Sequence, residues 1–119
     1  MTELVACLST GTGAGTLAHL TRVMEEHSWD KVFLIANELD KDKFKADNVE
    51  MIIIDSNRFL PELVEDIKNQ LKDRITGTEV AVNLISGTGK EHMAVLSALL
   101  KLGLGIRLVA LTKSGVKEI

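Results

Sequence analysis

Residues 80–103 constrain this chain more than any other stretch. Residues 80–85 read Val-Ala-Val-Asn-Leu-Ile, apolar except for Asn83. Such a run suits a strand covered on both faces. Ser86-Gly-Thr-Gly-Lys90 follows, and helix-forming residues continue from Glu91 to about Leu102. Gly103 and Gly105 stop that helix. Strand, glycine loop and helix in this order make an anion site. The unpaired N–H groups of the helix's first turn point into the loop, and the helix dipole favours negative charge there. Lys90 adds a cation. As a bare first-turn lysine it would sit badly at a positive helix end, which favours a ligand beside it.

The same pattern opens the chain. Leu4-Val-Ala-Cys-Leu8 is a short apolar run, read as the first strand, and Ser9-Thr-Gly-Thr-Gly-Ala-Gly-Thr16 is a second glycine-rich loop. Leu17, Leu20, Val23 and Met24 then recur at helical spacing up to about His27. Residues 32–36 and 51–54 read as the second and third strands, separated by a polar segment with a helical turn around residues 41–45. Asp55-Ser-Asn-Arg58 leads into a helix whose buried face is Leu60, Leu63, Val64, Ile67 and Leu71. Pro61 falls in its first turn, where a missing N–H costs little. Residues 106–111 are a fifth strand, Lys113-Ser-Gly115 a turn, and residues 116–119 a short antiparallel return.

Strands alternating with helices predict an α/β fold, a Rossmann-like parallel sheet with helices on both faces. Right-handed crossovers give the order 3-2-1-4-5 with an antiparallel C-terminal strand. The order reverses between strands one and four, where open α/β sheets bind ligands. The two loops leaving those strands are the two glycine-rich loops. With 119 residues the chain reads as one domain, residues 1–119, able to bury about two thirds of its unfolded surface.

Charge and composition remove several classes of function. A net charge of −3 with no basic stripe argues against direct DNA binding. Cys7 is the one cysteine and reads as a small buried hydrophobe. There is no signal pattern and no apolar run long enough for a membrane, so a cytoplasmic location is expected. His, Cys and acidic residues lack ligand spacing, so no metal is expected. His19 and Trp29 read as structural, His27 as a surface residue, and residues 38–45 as a solvated loop. The helix over residues 93–102 is either wholly buried or turns an apolar face outward to a dimer partner.

Three ligand readings compete for the loops. A magnesium-binding P-loop needs Ser or Thr where Glu91 stands, and is rejected. A dinucleotide fingerprint fits Gly13-Ala-Gly15-Thr-Leu-Ala18, with Glu38 near the end of strand two. The third reading is a resemblance. Asn83-Leu-Ile-Ser-Gly-Thr-Gly-Lys90, Met93 with a small-residue apolar helix, Gly105-Ile-Arg-Leu-Val109, and the Lys-Ser-Gly turn before Val-Lys-Glu-Ile119 resemble the CRISPR-associated Rossmann fold (CARF) domain. Three departures stand out. Asn83 replaces a common aspartate, Gly89 separates Thr88 from Lys90, and the loop after strand one carries more glycines than the family pattern.

The resemblance implies a sensor of cyclic oligoadenylate in type III CRISPR defence, a homodimer holding the ring across its axis. On it, Ser9, Thr10, Gly11, Thr12, Gly13, Gly15, Ser86, Gly87, Thr88 and Gly89 would offer backbone and hydroxyl donors, and Lys90 would sit over a phosphate. Asn37 and residues 55–58 would touch adenine or ribose. The resemblance extends to ring nucleases, where Lys90 would stabilise charge and Ser9 or Thr10 would orient the attacking hydroxyl, without cofactor or metal. His92, just beyond Lys90, reads first as a surface or dimer-contact residue, and is the one histidine placed by position to be a general base. A purely structural oligomerisation domain is a further alternative.

Overall fold

The computed structural model describes residues 2–9 and 14–119. Its elements in chain order are β1 (Glu3–Leu8), α1 (Ala14–Glu25), β2 (Lys31–Asn37), β3 (Val49–Ile54), α2 (Leu60–Leu71), β4 (Glu79–Asn83), α3 (Gly89–Lys101), β5 (Gly105–Thr112) and β6 (Gly115–Glu118). They form one six-stranded sheet of order 3-2-1-4-5-6. All pairings are parallel except that of β5 with β6.

Period-two alternation along the buried strands builds two cores. Val5, Cys7, Phe33, Ile35, Val80 and Val82 face α2 and α3, and pack with Leu63, Ile67, Leu71, Ala94, Val95 and Leu99. Leu4, Ala6, Leu8, Val32, Leu34 and Ala81 face α1, and pack with Leu20, Val23 and Trp29. Because β1 lies between β2 and β4 and is buried on both faces, it can be continuously apolar. Glu3 opens that strand. Its carboxylate accepts from the N–H groups of Thr76 (3.1 Å) and Gly77 (2.9 Å), fixing the turn before β4.

The helix ends follow local chemistry. Thr88 and Glu91 form a capping box at the start of α3. At its end Gly103 has φ +75°, with Leu104 N–H donating to Leu99 O (3.2 Å) and Gly103 N–H to Leu100 O (3.0 Å). This reciprocal pair is a Schellman motif, which needs a left-handed residue at the glycine position. Pro61 lies in the first turn of α2 as expected.

One expectation needs correction, and one open alternative is narrowed. The helical turn after β2 is Glu38–Asp40, not residues 41–45, because the chain tightens as soon as it leaves the sheet and buries Asp40 there. Helix α3 is not wholly buried. Ala94, Val95, Ala98 and Leu99 face the core, while Met93 and Leu100 are 62% and 66% exposed.

Candidate functional site

Strands β1 and β4 are neighbours, and the chain leaves β1 towards one face of the sheet and β4 towards the other. The loops that follow them therefore diverge from a common point, the switch point of the sheet. Ser86 ties them together. Its hydroxyl accepts from Ser9 N–H (2.9 Å) and donates to Ser9 O (3.2 Å), and it is buried. Next to it Gly87 has φ +104°. A Cβ there would lie 3.0 Å from Glu91 Oε1, 3.1 Å from Cys7 Cβ and 3.1 Å from His92 Nε2. Both the backbone angle and the space demand glycine. Burial, and secondarily the Glu91 charge, push the Cys7 thiol far above the ordinary range.

Glu91 is the hub of the site. It is 5% exposed, and its Oε1 accepts from Thr88 N–H (2.8 Å) as the return arm of the capping box. Its Oε2 accepts from the Ser56 hydroxyl and from Asn37 Nδ2 (3.3 Å). Asn37 Nδ2 also donates to Ser56 Oγ (2.8 Å), and Ser56 N–H donates to Asn37 Oδ1 (2.9 Å). One carboxylate thus joins the start of α3, the end of β2 and the loop after β3. Lys90 grips the same loop from outside, its Nζ donating to Ser56 O (2.8 Å).

Two histidines tie neighbouring segments together. His92 Nε2 lies 2.7 Å from Ser86 O, so this nitrogen carries a proton and donates. That engagement makes His92 a brace for the glycine loop. His19 Nε2 accepts from Leu111 N–H (3.2 Å), and Asn83 Nδ2 lies 3.3 Å from it. Asn83 also donates to Val109 O (2.9 Å). Asn83 therefore joins β4 to β5 and α1.

Beside this hub the ends of β1, β2 and β3 enclose a crevice of about 490 Å³. Ser9, Asn37 and Ser56 lie on it, with Glu38, Asp40 and Asp55 among its walls. The structure brings together Ser9, Asn37, Ser86, Gly87, Thr88 and Lys90 through the contacts above. Gly15 and Gly89 are exposed, and an added Cβ at either would meet nothing within 4 Å. Thr10, Gly11, Thr12 and Gly13 lie outside the described residues. Sequence reasoning missed Glu91 and the individual role of Ser56. The Thr88-x-x-Glu91 spacing was a signal for the first, as a capping box, while the reach of Glu91 to Ser56 had none. Among the described residues no three His, Cys, Asp or Glu side chains are grouped to hold a metal ion. Among the same residues no helix is long and apolar enough to cross a membrane.

No protein-family model matches the chain, and no curated protein is detectably similar to it. Fold and crevice define the class: a Rossmann-like α/β domain, compatible with nucleotide binding.

Proposed function

We propose that this domain binds cyclic oligoadenylate as a CARF-type sensor of type III CRISPR defence, one ring per homodimer. The observation that carries the reading is the meeting of the loops after β1 and β4 at the switch point, through Ser9 and Ser86, beside the start of α3. The capping box engages the N–H groups of Thr88 and Glu91, so those of Gly89 and Lys90 are what the helix offers an anion. Lys90 is exposed and one hydrogen bond away from freedom, so its ammonium can exchange Ser56 O for a phosphate oxygen. A cyclic ligand has internal rotational symmetry, and a two-fold dimer would present the same loop pair twice.

Cleavage is a natural extension. The ribose 2′-oxygen would attack the neighbouring phosphorus and expel the 5′-oxygen, leaving a 2′,3′-cyclic phosphate and a 5′-hydroxyl. Ser9 would align the attacking hydroxyl, and Lys90 would balance charge on the phosphate.

Glu38 favours a second reading. It leaves β2 directly onto the crevice, where a dinucleotide-binding fold places its ribose-binding acid.

Calorimetric titration with cyclic tetra-adenylate, cyclic hexa-adenylate and NAD separates these readings. Tight binding of a ring at one per two chains, weakened about tenfold or more by Lys90→Ala, is expected. Chromatography of the same samples reads cleavage. Heat with NAD alone moves the dinucleotide reading to the front, and no heat with any of the three leaves the structural alternative.

A further inference from the structure

The hydrogen bonds around the Glu91 side chain orient the polar groups next to it, and with them what the crevice can recognise. Ser56 N–H can only donate, so the Asn37 atom facing it at 2.9 Å is the carbonyl oxygen. The other end of that carboxamide is then the NH₂ group. Its two protons point to Ser56 Oγ (2.8 Å) and Glu91 Oε2 (3.3 Å). Ser56 Oγ, accepting from Asn37, sends its own single proton to the Glu91 carboxylate. Every side-chain donor of Asn37 and Ser56 is therefore spent inside the cluster. What these two residues still present to the crevice are lone pairs, one on Asn37 Oδ1 and one on Ser56 Oγ. The walls add Glu38, whose carboxylate is paired with Lys41, the buried Asp40, and Asp55, whose Oδ1 accepts from Asn57 N–H (3.0 Å), with the exposed Asn57 carboxamide and the Ser9 hydroxyl at the margin. Lys90 is not among the residues lining the crevice.

We infer that the crevice beside the glycine loops takes a hydrogen-bond-donating, uncharged or cationic part of the ligand and rejects phosphate, and that Glu91 sets this polarity without touching the ligand. A phosphate has oxygens where the floor already has lone pairs, and it would face the carboxylates besides. The site thus divides its work. The start of α3 and Lys90 take an anion, and the crevice takes hydroxyl or amino groups attached to it. A nucleotide carries such donors in two places, its ribose hydroxyls and the amino group of adenine. Which ligand brings them rests on the nucleotide reading, whereas the polarity of the floor does not.

The test is a two-dimensional amide NMR titration that follows the Asn37 side-chain NH₂ signal with the backbone signals of Ser56, Gly89 and Lys90. Guanidinium, which only donates, should move Asn37 and Ser56 beyond a sodium chloride control. Inorganic phosphate should move Gly89 and Lys90 and leave the Asn37 carboxamide in place. Phosphate acting on Asn37, with guanidinium inert there, overturns the inference. As nucleotide fragments, AMP, IMP and 2′-deoxy-AMP then ask which donor is read. Replacing the one that sits on the floor should weaken binding about tenfold. Equal affinity for all three takes the amino group and the 2′-hydroxyl off the floor and counts against the nucleotide reading, while the guanidinium and phosphate arms decide the polarity. Glu91→Gln adds the readout that a merely structural role would not move. The carboxamide it introduces can donate to Ser56 Oγ and turn the Ser56 proton outward, so the preference among the three nucleotides should collapse. Should that variant fail to fold, the wild-type series stands alone as the test. If guanidinium and phosphate partition as stated and no nucleotide binds, the polarity stands and the nucleotide reading falls.

Discussion

At Gly87 the backbone angle and the packing ask for the same residue, and the two demands add. Gly87→Ala should destabilise the protein by about 1–3 kcal/mol, through a strained positive φ and contacts near 3 Å with Glu91 and Cys7. Gly89→Ala meets neither obstacle and should leave urea stability within about 1 kcal/mol of the parent. Comparing the two in urea therefore separates a glycine needed by the fold from one that the fold does not need. Cys7 gives a pH-dependent counterpart. Its thiol is raised in the fold, mainly by burial and secondarily by Glu91, so the folded state favours the neutral form. That contribution is complete below the ordinary thiol value, near 9.0, and is lost as pH rises from there towards the folded value. Relative to Cys7→Ala, the parent should lose up to about 1.4 kcal/mol of stability per pH unit in alkali. A parallel decline of the two proteins above that pH would count against a buried neutral thiol. Both residues show what was legible from the chain alone. Cys7 in an apolar run reads as a hydrophobe, and Gly87 falls in a glycine loop between a strand and a helix. That Glu91 reaches back 35 residues to Ser56 depends on strand order and on where two loops meet, which no local pattern records.

Among the elements, α3 carries most of the site, and its start does two jobs. The capping box satisfies N–H groups at the helix end, and the same glutamate anchors the loop after β3. Thr88→Ala removes the acceptor for Glu91 N–H (3.2 Å) and should cost about 1 kcal/mol in thermal or urea unfolding. Lys90→Ala should leave that stability nearly unchanged, because the side chain is exposed. It should instead speed hydrogen exchange at residues 56–58, since one of the three side chains that hold Ser56 is gone while Glu91 and Asn37 keep their hold. Unaltered exchange there would mean that the Lys90 contact does not restrain the loop. The elements themselves were readable where periodicity is long, as in α2, where Leu63, Val64, Ile67 and Leu71 mark one face. The short turn after β2 was misplaced because three residues carry no period, and the burial of Asp40 that decides it is tertiary.

On the scale of the whole molecule, one sheet serves two cores, and the order 3-2-1-4-5-6 makes them inseparable. This order was legible because right-handed crossovers leave few topologies once the elements are placed. It has a consequence for unfolding. Leu34 and Ile35 are adjacent on β2 and both buried, yet Leu34 faces α1 and Ile35 faces α2 and α3. Trp29 reports on the first layer only. It packs beside Leu34 and donates from Nε1 to Val23 O (2.9 Å). If the layers were independent, Ile35→Ala would loosen one and leave the Trp29 signal untouched. Because both hang on the same strands, neither can keep its side of β2 after the other has released it. Leu34→Ala and Ile35→Ala should each cost about 2–5 kcal/mol. In each variant the urea transition seen by Trp29 fluorescence should coincide with that seen by far-ultraviolet circular dichroism. A Trp29 transition lagging behind the circular dichroism in Ile35→Ala would show that the α1 layer holds its strands without the other. The switch point would then be a seam between two folding units, and the loops that meet there would owe their geometry to docking rather than to a shared sheet.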